Sequence, residues 1–361
     1  MTVVRAANVY KVFGRKEQEV VRRLEAGEDR SALTRLGTAA VIDASFEVDK
    51  GEIFVVMGLS GSGKSTLIRM INGLWAPSAG SIEIAGKDIA RMNAAQLRTI
   101  RREHIAMVFQ HFALLPHRTV RENAAYGLQI QDVSTAERLE RAETWLERVG
   151  LGGWGDKYPG QLSGGMQQRV GLARALAAET DILLMDEAFS ALDPLIRGEM
   201  QDQLLELQKT LGKTIVFITH DLNEAMRLGD RIAVMRDGRI VQTDTPKQIL
   251  TAPADEYVAD FVKDVDRSRV LTARSVMRPV SELPAEVAAT TGQLPVVSED
   301  TLVADLFTPA VNTGGDLAVT DDDGRVCGVV TQTDLLGSMS QTTRKTAADG
   351  PPAGSTTGKE A

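Results

Sequence analysis

The chain is nearly free of cysteine. Cys327 is the only one in 361 residues, so no internal disulfide can form and a zinc cluster of Cys ligands is excluded. No run approaches the roughly 18 apolar residues that a membrane-spanning helix requires. The opening Met1-Thr2-Val3-Val4-Arg5 lacks the apolar segment of a signal peptide, and the reading is a soluble, cytosolic protein. A basic excess is also missing: 41 Lys and Arg stand against 49 Asp and Glu, a formal net charge of −8. A protein built on phosphate contacts with DNA or RNA would be basic, so no nucleic-acid partner is expected. The inner leaflet of a membrane is anionic too, so attachment there needs a protein partner rather than bulk charge.

What is present is ordinary globular material, 43 % hydrophobic and 25 % charged, with length for one large domain and a smaller one. Residues 2–13 read as a strand. Residues 15–36 place Val20, Val21, Leu24, Leu33 and Leu36 among Lys, Arg and Glu, which predicts one or two short amphipathic helices inserted before the next strand. Residues 40–58 resemble two strands joined by the turn Asp49-Lys50-Gly51; the second, Ile53–Met57, is continuously apolar, as a strand buried on both faces should be. A helix is expected over Thr66–Leu74, then a short strand and turn in "GSIEIAGKDI". The stretch from about Ala94 to Gly165 reads as mostly helical, most clearly at 134–149, with Ser134 as N-cap and Ala136, Leu139, Ala142, Trp145, Leu146 and Val149 on one face. "DILLMDE" (181–187) and "TIVFITH" (214–220) are two further buried strands in a β-α-β alternation, the mark of a parallel sheet. Near Asp264 the character changes, and residues after about 341 are rich in Gly, Pro, Thr and Ser, a composition that predicts disorder.

Gly58-Leu59-Ser60-Gly61-Ser62-Gly63-Lys64-Ser65 matches the phosphate-binding pattern G-x-x-x-x-G-K-[ST]. Backbone N–H groups must wrap a polyphosphate, and side chains would obstruct the approach, hence the glycines. Gly58, Ser60, Gly61, Ser62, Gly63, Lys64, Ser65 and Thr66 are the candidate ATP-binding residues. Lys64 reaches the β- and γ-phosphates and the Ser65 hydroxyl ligates Mg²⁺. Such an enzyme needs an acid on a neighbouring strand to organise the metal. Asp186, ending "ILLMD", fits. Glu187 follows on the opposite face of an extended chain and is the candidate to polarise the attacking water. His220, at the end of another strand, points into the crevice where parallel sheets bind ligands and is placed to sense the γ-phosphate.

The loop alone would suit kinases, GTPases and helicases as well. Leu162-Ser163-Gly164-Gly165-Met166-Gln167-Gln168-Arg169 narrows the class. It resembles the LSGGQ signature of ATP-binding-cassette (ABC) ATPases, with Met166 in place of the usual Gln, and the resemblance covers residues 1 to about 262. The resemblance implies an α/β P-loop fold: a RecA-like parallel core, an antiparallel β subdomain and a helical subdomain at about 95–165, together spanning 1–265. It implies that Gln110, in "MVFQHF", is the Q-loop glutamine with a place at the metal, that Ser190-Ala191-Leu192-Asp193 is the D-loop, and that His220 is the switch histidine. It also implies that an aromatic near the end of the first strand stacks on adenine, with Phe13 as the assignment and Tyr10 as its competitor. Ser163, Gly164 and Gly165 would bind the γ-phosphate of ATP held by a second copy, since the family sandwiches two ATPs between two chains.

The insertion at 15–38, together with "GEIFVVMGLSGSGKST", "AMVFQHFALLPHRTV", "RVGLARAL" and "LLMDEAFSALDPLIR", resembles the ATPases of the glycine betaine/L-proline (quaternary amine) uptake family. That resemblance implies ATP hydrolysis driving import through a separate transmembrane permease, a homodimer, an extracytoplasmic solute-binding protein or domain, and a peripheral location on the cytoplasmic face of the inner membrane. An importer for another small solute, or an ABC ATPase outside transport, is the alternative. Residues 270–340 resemble one CBS-like α+β unit, with a hairpin turn at Asp322-Asp323-Gly324; two such units from two chains would pair. The acids Asp321, Asp322 and Asp323 read either as an ionic-strength sensor or as a solvated turn. The apolar loop of Phe112, Leu114, Leu115 and Pro116 reads either as a permease-docking groove or as the start of a core helix.

Overall fold

The computed structural model describes residues 1–283, 291 and 294–339. The chain divides into two compact units, Met1–Val265 and the remainder from Asp266; the tail expected to be disordered, 341–361, lies outside the described residues.

In the first unit, β1 (Thr2–Phe13), β2 (Thr38–Asp49), β4 (Ala79–Ile84) and β5 (Lys87–Asp88) form an antiparallel sheet in the order β2-β1-β4-β5. The second sheet has the order β10-β9-β3-β8-β7-β6. It is built from β3 (Ile53–Met57), β6 (Ile105–Phe109), β7 (Ile182–Asp186), β8 (Thr214–Thr219), β9 (Arg231–Arg236) and β10 (Arg239–Asp244). All neighbours in it run parallel except β10 on β9. Every residue of β3 and β8 is buried, which is why both read as unbroken apolar runs. One core cluster joins the sheets, and in it Phe46 stacks on Phe54 with ring centroids 5.1 Å apart. Each large side chain so buried contributes about 1.5–3 kcal/mol.

The insertion forms α1 (Glu17–Glu25) and a 3₁₀ turn at Arg30–Leu33. Val20, Val21, Leu24 and Leu33 pack with Tyr10, Val12, Ala39 and Ile42 in a cluster of their own. The first helix after the phosphate loop, α2, spans Lys64–Ile71, two residues ahead of the expected start, because left-handed Gly63 is its cap and frees Lys64 to open the helix. The expectation of a mostly helical 94–165 needs a larger correction. Between α3 (Ala94–His104) and the helices α4 (Val120–Ala124), α5 (Tyr126–Ile130) and α6 (Thr135–Arg148) lies β6, paired in parallel to β7. Its run Ile105-Ala106-Met107-Val108-Phe109 is five residues long, too short for periodicity to separate strand from helix. α6 starts at the expected cap, Ser134, and buries Ala142, Trp145 and Leu146, while Ala136 is exposed.

In the second unit β11 (Arg278–Pro279), β14 (Val326–Val330), β13 (Leu317–Thr320) and β12 (Val296–Ser298) form a four-stranded sheet in the order β11-β14-β13-β12. Helices Val303–Thr313 and Gln332–Met339 accompany it, and the core holds Leu306, Leu317, Val319, Val330 and Leu335. The carboxylate of Asp321 accepts the N–H groups of Asp323 and Arg325, closing the hairpin with Gly324 at φ 76°.

Candidate functional site: a phosphate loop among four parallel strand ends

The side-by-side strands β3, β8, β7 and β6 share a direction, so their C-terminal ends lie on one edge of the sheet, where α/β folds bind ligands. Each end carries a group singled out from the sequence. The phosphate loop follows β3, His220 follows β8, Asp186 and Glu187 close β7, and Gln110 follows β6.

The loop is clamped from behind. A Cβ on Gly58 would stand 2.2 Å from the carbonyl oxygen of Met235, and one on Gly63 would stand 2.3 Å from that of Ala40. Gly61, at φ 80°, faces open space, leaving room in front of the loop for a ligand. Lys64 is 4 % exposed and donates from Nζ to the carbonyls of Gly58 and Leu59 at 2.8 and 3.1 Å. Burial pushes its ammonium below the usual lysine range, while Glu187 and Asp186 pull it back up. The Ser62 hydroxyl is buried without a hydrogen-bond partner. A buried orphan hydroxyl and a buried cation resting on carbonyls of its own loop fit a polyanion that would satisfy both.

Sequence reasoning expected the metal-side acid on an adjoining strand. The sheet instead places β8 between β3 and β7, yet Ser65 Oγ still donates to Asp186 Oδ1 at 3.3 Å, since α2 carries the serine across. Burial raises the Asp186 carboxyl above the usual aspartate range, opposed by the Ser65 hydrogen bond and the charges of Arg69 and Lys64. One hydroxyl and one carboxylate suit Mg²⁺, which keeps most of its shell as water and substrate phosphate. Among the described residues no group of three or more His, Cys, Asp and Glu could hold a metal without such help.

Glu187 is not on an extended chain as expected. Its φ of 48° is left-handed, a conformation that costs a glutamate of order 1–3 kcal/mol and turns the carboxylate back over the strand ends. There it accepts from Gln110 Nε2 at 3.3 Å and lies 3.2 Å from His220 Nδ1. Gln110 also donates to Ser190 Oγ at 3.1 Å, and Ser190 Oγ donates to the carbonyl of Glu187 at 2.9 Å. Sequence reading missed one further member. Arg197 donates to Asp221 Oδ2 at 3.0 Å and to the carbonyl of Leu192 at 3.2 Å, tying the turn before Asp193 to the residue after His220. The only signal was its place one turn beyond Asp193, at the start of α8 (Pro194–Leu211).

Phe13 and Tyr10 separate cleanly. Tyr10 is buried in the insertion cluster; Phe13 is 38 % exposed at the end of β1, edge-on to Trp75 at 5.0 Å. Ser163 caps α7 (Gly164–Ala177), accepting from Met166 N at 3.3 Å, and Asp193 caps α8, accepting from Ile196 N at 3.1 Å. Both caps are exposed, and neither hydrogen-bonds to its own phosphate loop among the described residues. A Cβ on Gly165 would stand 2.7 Å from Ile196 Cγ2, so that side chain would have to shift. Phe112 and Ala113 hold left-handed φ angles of 53° and 47°, and Arg174 donates to the carbonyls of both.

A phosphate loop with an acid pair, served by a glutamine loop and accompanied by a second, exposed glycine turn that opens a helix, defines an ABC-type ATPase. The chain belongs to the ATP-binding subunits of ABC transporters. The ABC transporter family model matches residues 41–190 and the CBS domain model matches 247–341, the latter starting inside the first unit. A glycine betaine transport ATP-binding protein of Bacillus subtilis (strain 168) is 56 % identical over 277 residues, 76 % of this chain and 66 % of that protein. A glycine betaine/proline betaine transport ATP-binding protein of Escherichia coli (strain K12) is 53 % identical over 273 residues, 75 % of this chain and 68 % of that one. The chain thus spans about two thirds of the length of these relatives. A trimethylamine N-oxide transport ATP-binding protein of Pelagibacter ubique (strain HTCC1062) is 45 % identical over 330 residues, 91 % of this chain and 94 % of that one. A dimeric post-hydrolysis structure of the cassette MJ0796, bound to ADP and Pi, is 34 % identical. It has a TM-score of 0.58 over 67 % of this chain and 98 % of that one.

Proposed function

We propose that two copies of this chain hydrolyse ATP to drive import of a quaternary amine or a closely related methylated amine through a separate permease. The observation that carries the reading is the convergence on Glu187: a strained carboxylate within 3.3 Å of Gln110 and 3.2 Å of His220, beside Asp186 and the loop of Lys64. Lys64 and the loop N–H groups bind the phosphates, and the Ser62 hydroxyl gains a partner there. Ser65 and Asp186, with Gln110, hold Mg²⁺, which supplies charge neutralisation at the phosphates. Glu187 accepts the proton of the attacking water, His220 and Gln110 orient it, and Phe13 stacks on the base. Ser163, Gly164, Gly165 and Asp193 serve the ATP of the other copy; the exposure of Ser163, Gly164 and Asp193 supports that reading.

An open cavity of 320 Å³ includes Met107, Phe109, Ala113, Tyr126, Ile130 and Arg174 in its walls, between β6 and the helical layer. It suits a helix of the permease, and it adjoins Gln110, so docking and metal coordination are linked through one loop. This supports the docking alternative for the Q-loop region, with Phe109, Tyr126 and Ile130 in place of Leu114 and Leu115. No helix of the described residues is long and apolar enough to cross a membrane, consistent with a peripheral subunit on the cytoplasmic face. A solute-binding protein completes the complex. The CBS-like unit regulates it, two units pairing across the two chains. The Asp321 carboxylate is taken up by its own turn and Asp323 lies 3.5 Å from the Arg325 guanidinium, an exposed pair that salt would screen, beside Asp322.

The solute class rests on the relatives, and two of those matched nearly end to end are trimethylamine N-oxide transport ATP-binding proteins. The test is uptake by the chain reconstituted with its permease and binding protein, using labelled glycine betaine, proline betaine, carnitine and trimethylamine N-oxide. ATP-dependent accumulation of one of these, abolished by Lys64→Ala, is expected. ATP turnover without accumulation of any of them overturns the solute assignment.

A further inference from the structure

Among the described residues no Asp or Glu is less exposed than Glu224, at 3 %. It lies in α9 (Leu222–Leu228), on the turn of chain that follows His220, and it has no part in the ATP site described above. No ion pair reaches it among the described residues; neutral donors hold it. Thr219 Oγ1 donates to Glu224 Oε2 at 2.6 Å and Gln201 Nε2 donates to Glu224 Oε1 at 3.2 Å. Both partners are buried as well. Burial pushes the carboxyl above the usual glutamate range, against the pull of the Thr219 hydrogen bond, while the charge of Asp221 adds to the rise and Gln201 and Arg197 oppose it. Taking a carboxylate out of water is costly, and apolar side chains of similar volume would hold the same elements together at least as well. Stability alone therefore does not account for Glu224.

Its bonds show what it joins. Thr219 and Asp221 flank His220 in the chain. The Thr219 hydroxyl accepts from Asp221 N at 2.9 Å while it donates to Glu224, so one side chain bridges the two neighbours of the histidine. Asp221 Oδ1 in turn accepts from Glu224 N at 3.2 Å. On the other side, Gln201 sits on α8 one turn beyond Arg197. Gln201 Oε1 accepts from Arg227 Nη1 at 3.0 Å, which leaves its Nε2 for Glu224. The helix that opens at Asp193 is thus bound to the turn carrying His220 at two points, Arg197 to Asp221 and Gln201 to Glu224. His220 is half exposed, and among the described residues its only polar contact is with Glu187. The backbone beneath it therefore sets where its ring points.

We infer that Glu224 is a positioning residue for ATP hydrolysis: it ties the backbone under His220 to α8, so that His220 and the Asp193 turn move as one body. A carboxylate serves because both of its oxygens accept, one from each side. A glutamine satisfies only one of them. With its oxygen toward Thr219, its amide would meet the Gln201 amide donor to donor. The inference rests on the reading of His220 as a residue that orients the attacking water, and adds to it a residue outside the pocket.

The test measures Mg-ATP binding and release of labelled phosphate by the full chain, unaltered and as Glu224→Gln, Thr219→Val, Thr219→Ser, His220→Ala and Glu224→Gln/His220→Ala. Misplacing a reacting group by about 1 Å costs roughly 10²-fold, so Glu224→Gln should lower kcat by about 10- to 100-fold and leave KM within about 3-fold. Unaltered Mg-ATP affinity reports an intact fold. In the His220→Ala background the same change should cost less than about 2-fold, because residues that act as a unit are not additive. Thr219→Val should repeat the loss and Thr219→Ser, which keeps the hydroxyl, should recover most of it; this pair carries the test if Glu224→Gln does not fold. An unaltered kcat in Glu224→Gln overturns the inference, and so does an equal loss in both backgrounds, which would mark a general structural effect. Full turnover in His220→Ala would instead sink the reading of His220 on which the inference stands.

Discussion

Replacing Glu187 by Gln tests the chemistry with little disturbance to shape. The amide is isosteric, and its oxygen can still accept from Gln110. The contacts at stake are long, 3.3 Å to Gln110 Nε2 and 3.2 Å to His220 Nδ1, near the limit of useful hydrogen bonds. At about 0.5–1.5 kcal/mol each, loss of both would lower stability by no more than about 3 kcal/mol. The backbone strain at φ 48° is the same for Gln as for Glu. What the amide cannot do is take a proton. A general base is worth about 10²- to 10⁴-fold, or about 2.7–5.4 kcal/mol of barrier. Turnover should therefore fall at least 100-fold while Mg-ATP affinity near neutral pH stays within a few-fold, and an ATP-bound dimer should accumulate. Glu187 is also one of two anions that hold the buried Lys64 ammonium protonated. In the variant, ATP affinity should accordingly begin to fall at a lower alkaline pH. Phosphate release in a single turnover and sedimentation with Mg-ATP measure these outcomes. Turnover within about 5-fold of the unaltered chain would refute the assignment, as would turnover and affinity declining in parallel.

Gly63→Ala and Gly61→Ala form a pair. Both residues are left-handed, at φ 106° and 80°, but only the first would drive a Cβ to 2.3 Å from a backbone oxygen; thermal unfolding should show Gly63→Ala less stable by at least about 1–3 kcal/mol, with Gly61→Ala closer to the unaltered chain, and equal losses would refute the clamp. In the second unit, burial pushes the Asp334 carboxyl up, but hydrogen bonds from Thr331 and the Arg278 guanidinium outweigh it and leave it below the usual range. The stability this adds is complete above the ordinary aspartate value of 3.8 and is lost as pH falls through the lower folded value. Asp334→Asn should remove about 1.5–3 kcal/mol at neutral pH and flatten the acid limb, read by hydrogen exchange in β13 and β14.

The local chemistry was legible along the chain because it depends on contiguous residues. A glycine loop between a buried strand and a helix, an acid pair at a strand end, and the Ser134 cap are each fixed by a few neighbours in sequence. The amphipathic insertion and the Asp322-Asp323-Gly324 hairpin belong to the same kind of signal. Tertiary structure decided whatever depends on distant segments meeting. β6 is a strand because β7 offers it a partner, not because five residues declare it. Tyr10 and Phe13 are three positions apart on β1, and only the packing of α1 buries one and leaves the other exposed. Gln110, Ser190, Glu187 and His220 come together because β6, β7 and β8 lie side by side, and a strand order cannot be read from residues that never touch along the chain.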